Sequence, residues 1–394
     1  MTRTEPELRA QLGLAAQMPM GEGQQAAMQD VIRHADAGGL PRLAFDARQK
    51  LANAYCVDRQ WDKAFPLFSR CLSDYDRRPG DFSPEEELEL REWYVFIIST
   101  MAEFPEVTLD QLYGALADVE QRFKAGGHSL RTVHAMRRWV AMLTGHWDEE
   151  ERSYRLWHAA GGPAPGNVWD FEAEIERLIL RGDVASRARA FTLAAPVLAG
   201  QMSFSEPSAP ILCHMLLPLA QAGQLTLAVA AYHRARRDLF GTGPYRYEYS
   251  GMLHEFCALT GNQYQGLEDM KVRLRGFYTL NRPNGKMEYA ASLAVLCRWL
   301  NATGGGGIRV NGPGPGYPVL IGALAGDAWR IAMDLAARFD QRNGTPWQGN
   351  RIRARLEAPP VVSQLPLGPA GQRPGATAAA GRRGGGYRPW WWPR

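Results

Sequence analysis

Residues 47–75, ARQKLANAYCVDRQWDKAFPLFSRCLSDY, carry two apolar stripes separated by a polar bend. Leu51, Ala52 and Tyr55 share one helical face. Beyond residues 58–60, Trp61, Ala64, Phe68 and Cys71 recur at i, i+3, i+7 and i+10, the period of a helix with one buried side. Two amphipathic helices joined by a short bend are therefore predicted. Such a hairpin cannot hide its apolar face by itself, so it requires stacked neighbours.

The bend recurs along the chain. Gly145-His146-Trp147 parallels Arg59-Gln60-Trp61 and precedes Tyr154 and Trp157. Gly182 precedes Phe191 and Ala194; Gly223 precedes Ala228, Tyr232 and Ala235; Gly261 precedes Tyr264, Gly266 and Leu267. Positions 59, 145, 182, 223 and 261 lie 86, 37, 41 and 38 residues apart, and a helix pair over 84–123 fills the doubled first step. That pair begins with Ser83 as N-cap, Pro84 at the first turn and acids at 85–87, where the helix dipole favours them. The expected fold is all-α, a helical-hairpin repeat solenoid. Capping helices are expected over 1–40, repeats over 41–303, a Gly/Pro linker over 304–318, a docked helix over 319–345 and a disordered basic tail over 357–394.

The order Leu-Ala-x-x-Tyr followed by Trp, Ala, Phe and a small residue resembles the tetratricopeptide repeat, whose small positions let paired helices approach closely. The resemblance covers residues 40–300 and is clearest at 51–71 and 216–235. A spacing near 40 exceeds the usual repeat of roughly 34 residues, which implies longer helices or loops. The segments PVLAG (196–200), FCALTGN (256–262) and AARFDQRNGT (336–345) look like those of a group of actinobacterial tetratricopeptide-repeat proteins. Members of that group often have a close Cys pair after the helix matching 149–160, and residues 161–169 have none. The resemblance implies a scaffold that binds a protein or peptide on the concave face formed by first helices. Lys50, Asn53, Trp139 and Glu255 are the residues it places there. A clamp for a C-terminal carboxylate would need Lys50 and Asn53 to be joined by further basic residues, and none stands at equivalent positions.

Arginine outnumbers lysine 40 to 5 in a chain of 394 residues whose formal net charge is +4. Residues 351–394 hold eight arginines against Glu357, so the first 350 residues are mildly acidic and the tail is basic. Five scattered cysteines, Cys56, Cys71, Cys213, Cys257 and Cys297, show neither a disulfide framework nor metal-ligand spacing, which suits reduced thiols in the cytoplasm. No export signal and no run of eighteen apolar residues is present.

Eight histidines are spread without ligand spacing, and His254-Glu255 lacks the second histidine of a zinc-protease helix. His128, His134, His214, His233 and His254 read as structural or surface residues. No nucleophile elbow and no phosphate loop is found, since the glycines at 304–316 are interrupted by prolines and lack a following Lys-Ser or Lys-Thr. Neither catalysis, a cofactor nor a metal is expected. Arg382 and Arg383, beside Tyr387 and Trp390, Trp391 and Trp392, offer phosphate pairing and stacking to single-stranded nucleic acid or an anionic membrane. A composition-biased terminus is the plainer reading of that tail. Sensing of a small peptide or metabolite by closure of the solenoid is the other class the sequence admits.

Overall fold

The computed structural model describes residues 3–368, except 59, 165, 203, 205–206, 241–246 and 315–316. These described residues form seventeen α-helices and one two-stranded hairpin. The chain divides into two compact units, one of residues 1–101 and 115–128, the other of 102–114 and 129–368 as far as described.

In the first unit α1 (Glu5–Gln17), α2 (Glu22–Ala37), α3 (Pro41–Val57) and α4 (Trp61–Arg77) pack consecutively. The stripes of residues 47–75 are buried as their period requires: Leu51, Ala52 and Tyr55 on α3, and Trp61, Ala64, Phe68 and Cys71 on α4. Then comes α5 (Pro84–Ala102). Ser83 Oγ accepts from the Glu86 amide at 3.2 Å while the Ser83 amide donates to Glu86 Oε2 at 2.9 Å, a reciprocal cap. Trp93 meets Phe68 edge to face at 4.7 Å. α6 (Leu109–Ala125), of which residues 115–125 belong to this unit, buries Leu112, Leu116, Val119 and Phe123, the stripe the sequence marks.

In the second unit the hairpins are α7 (Arg131–Thr144) with α8 (Trp147–Ala159), α9 (Val168–Arg181) with α10 (Val184–Leu198), and α11 (Ala209–Gln221) with α12 (Leu225–Phe240). They continue with α13 (Tyr247–Leu259) paired to α14 (Gln263–Tyr278), and α15 (Pro283–Ala302) paired to α16 (Ile321–Asn343). Successive first helices also lie against one another, α9 on α11, α11 on α13 and α13 on α15. This is an all-α helical repeat fold. Each bend named from sequence in this unit is a left-handed glycine: Gly145, Gly182, Gly223 and Gly261 all have φ between 69° and 78°.

Charge is buried between the first two of these hairpins. Arg177 on α9 donates to Glu150 Oε1 on α8 at 2.6 Å. The guanidinium of Arg177 lies 3.8 Å from the Tyr154 ring centre and that of Arg138 4.5 Å from that of Trp157.

The C-terminal part differs from the sequence expectation in two places. The stretch 304–318, read as a linker, begins with a 3-10 turn at Gly305–Gly307. It then forms β1 (Arg309–Asn311), which pairs antiparallel with β2 (Pro318–Leu320) in the register Val310 to Val319. A further helix, α17 (Trp347–Leu356), follows α16, and the chain is held well past residue 357. Asp340 accepts from the amides of Gln348 and Gly349, each at 2.8 Å, placing a carboxylate at the start of α17. Val361 N donates to Leu259 O at 2.8 Å and Leu365 N to Thr260 O at 2.9 Å. These carbonyls end α13 and have no partner within their own helix. Leu365 and Leu367 are buried with Ile211, Leu212 and Phe256.

Candidate functional site

The first-helix face of the second unit carries a polar strip. Glu172 and Glu176 are one turn apart on α9, so they share a face. His214 comes from α11, Tyr249 and Glu255 from α13, Glu288 and Ser292 from α15, and Arg351 and Arg355 from α17. On α17 the buried residues Gln348, Ile352 and Leu356 form one stripe, and Arg351 and Arg355 form a second at the same four-residue step.

The two arginines bind the acids of α13 and α15. Arg355 Nη2 donates to Glu255 Oε2 at 2.7 Å and to Ser292 Oγ at 2.8 Å, and its Nη1 donates to Glu288 Oε2 at 2.6 Å. Arg351 forks onto both Glu288 oxygens. Burial would raise the Glu288 carboxyl, but the Arg351 and Arg355 charges overcome it and hold the pKa at about 2. Burial lowers the Arg355 pKa, but the charges and bonds of Glu255 and Glu288 outweigh that and leave it raised.

At the α9 end, Glu172 Oε1 lies 2.9 Å from His214 Nε2 and accepts from the Tyr249 hydroxyl at 3.0 Å. His214 is buried, and Glu172 and Glu176 are half-buried. Desolvation pushes Glu176 up to about 7; His214 opposes this, and the charges of Glu172 and Glu288 add to it. Burial lowers the His214 pKa, but its bond to Glu172 and the Glu176 charge more than offset that and leave it raised.

Of the residues picked from sequence, Glu255 alone lies in this strip, and its bonds go to the chain's own Arg355 and Ser292. Trp139 is half-buried on α7. The corner before α17 is tied to the end of that helix: Thr345 Oγ1 donates to Thr144 O and Gln348 Nε2 to Leu143 O, both at 2.7 Å. Lys50 is exposed and Asn53 half-buried, both on α3 in the first unit. The tail residues Arg382, Arg383, Trp390, Trp391 and Trp392 lie outside the described residues.

His254 is a buried structural residue, as its place in an apolar helix suggests. His214 differs, because it meets two carboxylates that stand 38 and 42 positions earlier in the chain. Ligand spacing within one helix cannot reveal such a set. The step of four between Glu172 and Glu176 was the available signal. The five cysteines are buried, and burial pushes the Cys56, Cys71, Cys257 and Cys297 thiols up to about 12, which disfavours the thiolate.

No helix among the described residues is long and apolar enough to cross a membrane. Comparison with protein-family models, curated proteins and solved structures finds no match to the chain. The class is therefore defined by fold and site alone: a helical-hairpin repeat protein with a charged strip on successive first helices.

Proposed function

We propose that this chain is a binding scaffold of tetratricopeptide type whose first-helix face in the second unit receives a helical, arginine-bearing peptide or protein segment. One observation carries the reading. That face already receives such a segment in cis, with α17 setting Arg351 and Arg355 against Glu255 and Glu288. Bidentate guanidinium-carboxylate pairing is specific in geometry as well as charge, and a helix laid on a groove presents residues at i and i+4 as α17 does. A partner segment of the same chemistry competes with α17 for these acids, so the scaffold binds weakly while the segment is seated and more tightly once it is displaced. Trp139 on α7, the helix whose end is tied to the corner before α17, is the aromatic contact of this reading.

The test uses a labelled synthetic peptide of residues 345–368 added to the full chain, with binding followed by fluorescence anisotropy. The unaltered protein is expected to bind weakly, and Arg351→Ala with Arg355→Ala to bind at least tenfold more tightly. Adding Glu255→Gln and Glu288→Gln to that variant should abolish the gain. Equal, negligible binding by all three proteins, each shown to be folded by circular dichroism, would overturn the reading.

A further inference from the structure

The Glu172, Glu176 and His214 side chains make no direct bond to the described residues of α17, although the Arg351 charge bears on Glu176, and their potential ligand atoms all lie within 4.8 Å of one another. Two ligands at about 2.1 Å from one ion are at most about 4.2 Å apart, so small side-chain adjustments suffice to bring this set onto a single centre. The set is mixed in kind and in origin: two carboxylates from α9 and a buried imidazole from α11, whose Nε2 is already aimed at Glu172.

We propose that Glu172, Glu176 and His214 form a divalent metal site that takes Zn2+ or a similar borderline cation, with Tyr249 as its outer support.

The charge distribution favours a cation. Glu255 and Glu288 are matched by Arg351 and Arg355 through direct bonds. Glu172 and Glu176 then stand close together and share one imidazole, with the Arg351 charge, already bonded to Glu288, also bearing on Glu176. A divalent ion neutralises both carboxylates and leaves the imidazole uncharged. On binding, the ion takes the place of the proton between His214 Nε2 and Glu172 Oε1, and that proton leaves to solvent.

The donor set also selects among metals. One nitrogen and two carboxylate oxygens, with room for water, match the His-and-carboxylate sites that Zn2+ occupies. Ca2+ and Mg2+ prefer oxygen ligands throughout, and no thiolate is present to select a soft ion. The Tyr249 hydroxyl bonds the same oxygen of Glu172 that faces His214, so it fixes the carboxylate's orientation as outer groups do at metal centres. The site lies at the α9–α11 step, and the inference stands or falls independently of any peptide bound over α13 and α15.

The experiment titrates the full chain, stripped with EDTA and dialysed, with ZnCl2 in competition with a chromophoric chelator, and repeats it with CaCl2 and MgCl2. One equivalent of Zn2+ is expected, with Ca2+ and Mg2+ at least a hundredfold weaker. Glu176→Gln and His214→Gln should each weaken Zn2+ uptake by tenfold or more, Tyr249→Phe by less, and His233→Gln, a change at an exposed histidine, not at all. Circular dichroism and thermal melts verify that each variant is folded. Should His214→Gln fail to fold, Glu176→Gln, which alters one half-buried group without changing its shape, decides alone. Absence of stoichiometric uptake, or uptake unchanged in Glu176→Gln, overturns the proposal.

Discussion

Arg355 on α17 reaches Glu255 on α13, with Nη2 2.7 Å from Oε2, and so joins residues a hundred positions apart across the first-helix face. Glu255 is buried, and Glu288, the second acid on the same guanidinium, is largely so. Removing the arginine leaves buried Glu255 with only the Ser292 hydroxyl and leaves Glu288 to Arg351 alone. Arg355→Ala is therefore expected to cost about 2–4 kcal/mol in urea unfolding. Arg355→Lys should recover only part of this, because an ammonium keeps the charge but loses the fork. Limited proteolysis gives a second readout: cleavage within 345–368 should rise in both variants before the rest of the chain is cut. A loss below about 0.5 kcal/mol would mean the pair contributes no more than a surface salt bridge.

Two glycines with the same backbone separate local strain from the docking of the C-terminal segment. Gly223 and Gly261 both have φ of 72°, but a Cβ at Gly223 meets open space, while one at Gly261 would run into the Ser363 carbonyl. Gly223→Ala should cost about 1 kcal/mol for a left-handed non-glycine residue. Gly261→Ala bears that cost and must also push residues 361–365 off the end of α13. Hydrogen exchange at the Val361 and Leu365 amides should accelerate at least tenfold in Gly261→Ala and stay unchanged in Gly223→Ala. Equal exchange in the two variants would show that the segment is not held at this corner.

The hairpins were legible in the sequence because their cause is local. A stripe such as Trp61, Ala64, Phe68 and Cys71 and a glycine such as Gly182 each act within one helix or one bend, so period and turn chemistry suffice. The polar strip was not legible, because its members come from five helices and meet only after stacking. Glu255 was picked out as a contact for a partner, and what occupies it is the chain's own Arg355. The helix that brings that arginine was hidden by composition. Residues beyond 357 are rich in Pro, Gly and Ala, and α17 just before them buries only Ile352 and Leu356 as large apolar side chains. Its spacing of Ile352 to Leu356 and of Arg351 to Arg355 was the readable sign. The hairpin at 304–318 was missed for a similar reason, since glycine and proline suit the connection between two short strands as well as a linker.

The charge layer between the first two hairpins of the second unit offers a contrast in burial. Glu150 is fully buried beneath Arg138 and Arg177, whereas Arg152, two positions on, is mostly exposed and pairs with Glu149. Glu150→Ala strips the shared counter-charge from two buried guanidiniums and should cost about 3–5 kcal/mol. Arg152→Ala should cost about 0.5 kcal/mol or less. Paired urea melts decide this, and comparable losses in the two variants would contradict the assignment of Glu150 as the centre of the layer.

His254 sets the direction of part of the acid response. It is 1% exposed, its Nδ1 has no hydrogen-bond partner among the described residues, and its ring lies 5.6 Å from that of Tyr289. Burial, with a smaller contribution from the Arg273 charge, lowers its pKa to about 3. In the unfolded chain the same imidazole titrates near about 6.5. Between these values the unfolded state holds a proton that the native state refuses, so stability is complete above the unfolded pKa and declines as pH falls through the window. The slope from this one group approaches about 1.4 kcal/mol per pH unit. His254→Leu removes the titration and should flatten the dependence of unfolding free energy between pH 6.5 and 4.5 by that amount, whatever its effect on stability at pH 8. Other titrating groups contribute to both proteins alike and cancel in the difference. Parallel curves for the two proteins across this range would show that His254 takes up its proton in the native state, and the dry, neutral environment assigned to it would be wrong.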